Sequence, residues 1–334
     1  MAAKRPLGVI FIHGLAKKPA PEKLAELWLW GLSRGNPMPS VFAAPNEGID
    51  LPNDGVPHLF NYYADVFYGI DYETDVSSYY ESEQSLEQQL HTEGLDQLDI
   101  VPAAPVTPHE QAFIANLEAK LAANMAIKPA TAAIESATQP TVTGDHEIAR
   151  FIPPVAREAI IKKAAMEAYY FLFDKEYTRP DGTRFQVRKE LRTRLLDQLQ
   201  ALREQTDKTV IVSHSMGTMV AYDVLRNCAD CPPVDTLFTL GSPLGIREIQ
   251  QELRAAGTRQ VDFPAAALRR WINIYDPLDP VCGADPRFAN DYQAVDGKRV
   301  EDIKESNWGS WRHTITHYLA GSQFRKHLLQ SLET

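Results

Sequence analysis

The chain has 334 residues, 44% of them apolar, and its 44 acidic side chains outnumber 34 basic ones for a formal net charge of −10. That length and apolar share suit one large α/β domain with an insertion. The acidic balance excludes phosphate-backbone binding as the main task, so nucleic acid is not an expected partner; no run of about 18 apolar residues is present to form a membrane-spanning helix.

The N-terminal stretch MAAKRPLGVIFIHG has a basic start, but its apolar run is short and ends in His13-Gly14. It reads as a strand over residues 7–12 rather than as a secretory leader. Three cysteines, Cys228, Cys231 and Cys282, are an odd number in a large chain, which points to a reducing compartment and a cytoplasmic location. Lys17 and Lys18 follow the first strand; as an exposed pair they are solvated, or they flank an entrance and favour an anionic group.

Farther on, NYYADVFYGIDYETDVSSYY (61–80) reads as a strand in its first part and as the start of an insertion at its end. Residues 71–170 carry acidic Tyr and Ser clusters, Pro- and Ala-rich segments and two helical patches, HEQAFIANLEAKLAANMA and AREAIIKKAAMEAYYFLF. The expected organisation is a core of residues 1–70 and 171–334 with a mainly helical, partly flexible insertion or lid over 71–170. Within it, KPATAAIESATQPTVTGD reads equally as a disordered loop.

After the insertion, strand and helix patterns alternate. RKELRTRLLDQLQALRE places Leu191, Leu195, Leu199 and Leu202 on one helical face. Strands are expected at 209–212, 236–240 and 271–275, with helices over MGTMVAYDVLRN and FRKHLLQSL. Short continuous apolar runs of this kind fit a mostly parallel sheet covered by helices on both faces, an α/β fold.

Candidate chemistry begins where the 209–212 strand meets its helix, in Ser213-His214-Ser215-Met216-Gly217. This approximates the G-x-S-x-G elbow, in which small residues two before and two after a serine permit a strained turn that lifts its hydroxyl clear. Ser213 stands in the first glycine position and is small enough to fill it. A serine nucleophile needs a base, and the base an orienting acid. DPLDPV follows the 271–275 strand and offers Asp276 and Asp279, at the strand end where such sheets keep their functional groups. Asp276 directly follows the strand and precedes a proline, as a turn cap does; Asp279 reaches farther and is the preferred acid. Two later histidines, His313 and His317, satisfy the order Ser, Asp, His. His313 is the preferred base and His317 the alternative. An oxyanion hole is expected from the amides of Leu15 and Met216, with Gly14 allowing close approach and His13 holding its own loop. Gly14, His13 and His214 are the expected pocket residues. C-A-D-C, lacking a second pair, reads as a helix end and not as a metal or redox motif, and no metal or organic cofactor is implied.

With strand-His-Gly, SHSMG, DPLDPV and HTITHYL in this order, the chain resembles the α/β-hydrolase superfamily, and more narrowly its intracellular lipase-like and serine-esterase-like members. The run SHSMGTMVAYDVL followed by TLFTLGSPLG extends the likeness beyond the pentapeptide. It covers residues 7–15, about 55–70 and 185–330. The resemblance implies Ser215 as nucleophile, Asp279 as acid, His313 as base and the amides of Leu15 and Met216 as oxyanion donors. It further implies a small-molecule or lipid ester as substrate, with amidase, acyltransferase and noncatalytic binding modules as alternatives on the same fold. Where the family pattern carries glycine before the tyrosine-leucine pair, this chain has His317.

Overall fold

A computed structural model describes residues 5–14, 16–35, 46–73, 100–137, 154–282, 285–308 and 312–333. Six strands form its main sheet: β1 (Arg5–Ile12), β2 (His58–Asn61), β5 (Thr206–His214), β6 (Val234–Leu240), β7 (Leu268–Tyr275) and β8 (Val300–Lys304). They lie in the order β2-β1-β5-β6-β7-β8, and every neighbouring pair is parallel. Between the strands run α1 (Pro21–Ser33), α2 (Ala64–Tyr68), α3 (Pro108–Ala137), α4 (Pro154–Leu172), α5 (Val187–Gln205), α6 (Gly217–Asn227) and α7 (Arg247–Leu253), and the chain closes with α8 (Ile315–Ala320) and α9 (Ser322–Glu333). A two-stranded antiparallel hairpin, β3 (Glu176–Thr178) and β4 (Arg184–Gln186), precedes α5. This strand order, with helices on both faces, is the α/β-hydrolase topology.

The registers explain why the central strands are apolar throughout. Phe11 pairs with Val212, Val212 with Phe238, and Phe238 with Ile272, so these four side chains form one row on one face. Phe11 meets Trp28 of α1 edge-on, and Phe238 meets Phe324 of α9 likewise. The row beside it, Ile10, Ile211, Leu237 and Trp271, points to the other face, where Trp271 packs on Tyr222 of α6. Leu191, Leu195, Leu199 and Leu202 are all buried along α5. Strands covered on both sides have no solvent face to mark with polar residues, hence their unbroken Val, Ile and Leu.

Several elements differ from expectation. Of NYYADVFY only Asn61 belongs to a strand; Tyr63 turns the chain, and Ala64–Tyr68 coils into α2 before Gly69 ends it. The turn is held by the Tyr63 amide donating to His13 Nε2 (2.9 Å) and the Tyr63 hydroxyl donating to the His13 carbonyl (2.7 Å), bonds that a continued strand would not permit. KPATAAIESA, read equally as loop, lies within α3 as far as Ala137; the rest of that segment, 138–145, is outside the described residues. So is the acidic stretch 74–99. The described part of 71–170 is mainly helical, and its helix α3 is fastened to α7 by Lys120–Glu248 and His109–Glu252 contacts, each 2.8 Å. All three cysteines are free thiols. Among the described residues, no helix is long and apolar enough to cross a membrane.

Candidate active site

β5 ends at His214, and the next residue turns abruptly. Ser215 has φ +53°, a left-handed conformation that costs a non-glycine residue about 1–2 kcal/mol. Three hydrogen bonds hold it there: its amide donates to the Leu240 carbonyl (3.0 Å), and its own carbonyl accepts from the Thr218 amide (3.0 Å) and hydroxyl (2.6 Å). Thr218 Oγ1 also meets Ser242 Oγ at 2.8 Å, tying the start of α6 to the Gly-Ser-Pro turn after β6. Ser213, in the position where the elbow pattern has glycine, donates its hydroxyl to the Phe238 carbonyl across the sheet (2.8 Å). The serine is therefore satisfied in place and does not obstruct the turn.

Gly14 lies against this elbow. A Cβ there would stand 2.6 Å from Ser215 Cβ and 3.2 Å from its Oγ, closer than real Cβ contacts come, so only glycine lets the β1 loop pass beside the serine. Met216 follows Ser215 and precedes α6. Among the described residues its amide has no acceptor, and it shares the helix N-terminus, where partial positive charge gathers. Leu15, the other expected donor, lies outside the described residues.

The expected acid and base, Asp279 and His313, come from the segment after β7 and from the loop before α8. His313 Nδ1 meets Asp279 Oδ2 at 2.8 Å, both side chains buried. The carboxylate also accepts from the Val281 amide on Oδ1 (2.8 Å) and from the Tyr318 hydroxyl on Oδ2 (2.6 Å). Burial alone raises a carboxyl pKa, but here the charge and hydrogen bond of His313, with the Tyr318 and Val281 donors, outweigh it and hold Asp279 well below the usual carboxylate range. An ionised Asp279 binds the Nδ1 proton of His313 and makes Nε2 the basic nitrogen.

Gly241 lies between the elbow and this pair. Its φ is +54°, and a Cβ on it would come within 2.8 Å of Asp279 Oδ2 and 3.0 Å of His313 Nδ1. The residue before it, Leu240, accepts the Ser215 amide. His214, adjacent to the serine, packs its ring against that of His313, with centroids 4.4 Å apart and planes tilted by 31°, and donates Nε2–H to the His313 carbonyl (3.0 Å). Burial, then the neighbouring His313 and Lys18, push its pKa well below that of a free histidine, so it is a neutral ring. Ser215, His214, Gly241, Asp279 and His313 thus share one neighbourhood. Among the described residues no hydrogen bond joins Ser215 Oγ to His313; such contacts are often long without substrate and tighten in the complex.

The alternative residues have partners of their own. Asp276 accepts from the Leu278 and Asn307 amides (2.8 and 2.9 Å), as a turn cap does, and burial raises its pKa. His317 packs its ring against Trp308, with centroids 3.9 Å apart and planes tilted by 32°. His13 donates from Nδ1 to the Gly14 carbonyl (2.6 Å) and accepts the Tyr63 amide at Nε2, and burial keeps it neutral. Both of its nitrogens hold the loop. Lys17 pairs with Asp71 (2.8 Å), but Lys18 is buried at 1% exposure, so the two are not a solvated pair.

Four residues of the site have faint sequence signals. Gly241 and Ser242 belong to the Gly-Ser-Pro that follows an apolar strand, and Thr218 lies two positions beyond Met216 in the pentapeptide's wake. Tyr318 directly follows His317. Nothing in the sequence links Glu167 of α4 to the β1 loop, yet its carboxylate accepts the Ala16 amide (2.8 Å) and the Tyr68 hydroxyl (2.6 Å). The segment read as an insertion therefore touches the loop that carries Gly14. Among the described residues, no group of three His, Cys, Asp or Glu is arranged to hold a metal ion.

No protein-family model matches the chain, and a search of curated proteins returns no match.

Proposed function

We propose that this protein is a serine hydrolase that cleaves a carboxylic ester, with Ser215 as nucleophile, His313 as general base and Asp279 as the acid that orients it. The observation that carries this reading is the buried 2.8 Å His313–Asp279 pair, set at the same sheet edge as a serine with φ +53°. Backbone strain at a non-glycine residue concentrates at functional sites, and a serine strained at a strand-to-helix turn supports the role of nucleophile.

In this mechanism His313 Nε2 takes the hydroxyl proton as Ser215 Oγ attacks the ester carbonyl, and the imidazolium is stabilised by ionised Asp279. The Met216 amide, with that of Leu15 as its partner, stabilises the oxyanion; each such donor contributes about 3 kcal/mol. The proton passes to the leaving alcohol, and water activated by the same histidine releases the acid and restores Ser215. Helices α3 and α4, from the described part of 71–170, supply selectivity as a lid, their apolar faces favouring an acyl chain in a small-molecule or lipid ester. A cytoplasmic location accords with three free thiols.

The test is a panel of nitrophenyl esters of increasing acyl length, run beside thioester and phospholipid substrates. Chain-length-dependent hydrolysis should fall at least a thousandfold in Ser215→Ala. Turnover accelerated by added alcohol or amine acceptors would instead identify an acyltransferase, and preference for anilides an amidase. Activity unchanged in Ser215→Ala, or none in the native protein, would select instead a binding module that keeps the fold without turnover.

A further inference from the structure

Asp279 Oδ2 carries two donors at once, His313 Nδ1 at 2.8 Å and the Tyr318 hydroxyl at 2.6 Å. The Tyr318 oxygen itself accepts the Asp276 amide at 3.2 Å. That amide can only donate, so the phenolic proton is committed towards Asp279. Together with the Val281 amide on Oδ1, these bonds fix the carboxylate in plane, and the two donors on Oδ2 divide its charge between them. Tyr318 is fully buried.

We propose that Tyr318 is a positioning residue for the acid–base pair: it fixes Asp279 Oδ2 beneath His313 and, by sharing that oxygen, moderates the negative charge offered to the imidazole. The proposal rests on reading Asp279 and His313 as part of a catalytic triad. Tyr318 acts through Asp279. Burial and the adjacent carboxylate push the phenol well above its ordinary pKa, so it remains a donor wherever the enzyme works. The titratable groups around this phenol and the pair are Asp276, Asp279 and Cys282 from the segment after β7, His214 from the end of β5, and Arg312 and His313 from the loop before α8. Lys18 of the β1 loop acts on His214. Cys282 Sγ lies 3.7 Å from the phenol oxygen, a weak contact beside the 2.6 Å bond to Asp279.

Removing the donor and strengthening it should act in opposite directions. In Tyr318→Phe the whole charge of Oδ2 faces His313, so the acid limb of kcat/KM moves to higher pH by about half a unit to one unit. The proton resonance of His313 Nδ1 moves downfield as its bond to Asp279 shortens. Site-specific 3-fluorotyrosine at position 318, a stronger donor that keeps the hydroxyl, moves the acid limb down and the resonance upfield. A residue that only fills space would move neither. Opposite displacements support the assignment, and any other pattern overturns it; should Tyr318→Phe not fold, the fluorotyrosine protein decides alone. The resonance needs no substrate. If native protein hydrolyses no ester, the proposed activity fails while the Nδ1 readout still tests Tyr318.

Discussion

Gly241 is the most informative single position in the fold. Its substitution by alanine has two separable costs. The first is conformational: at φ +54° an L side chain is disfavoured by about 1–2 kcal/mol. The second is steric, because the new methyl would stand 2.8 Å from Asp279 Oδ2 and 3.0–3.1 Å from His313 Nδ1 and Cε1. These atoms belong to a buried, hydrogen-bonded pair that cannot swing away, and overpacking of this kind costs about 1–3 kcal/mol more. Gly257 supplies the control, since its φ is +80° and a Cβ there meets nothing within 4 Å. Gly257→Ala therefore reports the conformational cost alone, and the difference between the variants in urea denaturation reports the clash. Gly241→Ala should lose about 2–5 kcal/mol and Gly257→Ala about 1–2. Because the methyl wedges against the His–Asp contact, ester hydrolysis should fall about a hundredfold in Gly241→Ala and be unchanged in Gly257→Ala. Equal stability losses with native activity in both would refute the placement of Gly241 against the pair.

Three further predictions concern the scaffold. Asp223 is buried between Arg188 and Arg192 (2.6 Å each); burial pushes its pKa up, but the two guanidiniums win and bring it from 3.8 to about 2. A depressed carboxyl pKa contributes stability that is present above about pH 4 and lost as pH falls through about 2. Acid denaturation should therefore show about 2 kcal/mol lost across that window, and Asp223→Asn should lack that slope. Arg325 is buried and donates to the carbonyls of Leu319, Asn46, Glu47, Gly31 and Arg34. Arg325→Met strands those acceptors and should cost about 3 kcal/mol in urea melts; a loss below about 0.5 kcal/mol would show that water replaces the guanidinium without penalty. Burial raises Cys231 to about 12, so at pH 8 iodoacetamide should alkylate it roughly a thousandfold more slowly than a free thiol, and denaturant should abolish the difference. Fast labelling of native protein would contradict the burial.

The central strands and helices were legible because their signals are local. Runs such as VIFI and TVIV have no polar alternation, and four leucines at helical spacing mark the buried face of α5. Edge strands lack that signal: β8 is Val-Glu-Asp-Ile-Lys, a half-exposed strand whose charges conceal it, and β2 is only four residues long. The turn at Tyr63 was illegible for a different reason, since its partner is His13, fifty positions away in sequence. At the candidate site, chain order pointed to serine, aspartate and histidine. It left Asp276 beside Asp279 and His317 beside His313, because order carries no direction. Direction comes from packing: Trp308 takes the His317 ring, and the Leu278 and Asn307 amides take the Asp276 carboxylate. Tyr318 and Gly241 touch Asp279 from α8 and from the turn after β6, contacts that no spacing rule encodes.

The most direct test is covalent. Native protein treated with one equivalent of a fluorophosphonate and digested for mass spectrometry should carry the phosphonyl group on the peptide containing Ser215, and His313→Ala or Asp279→Asn should slow the modification by at least a hundredfold. Modification elsewhere, or at a rate indifferent to both substitutions, would contradict the account.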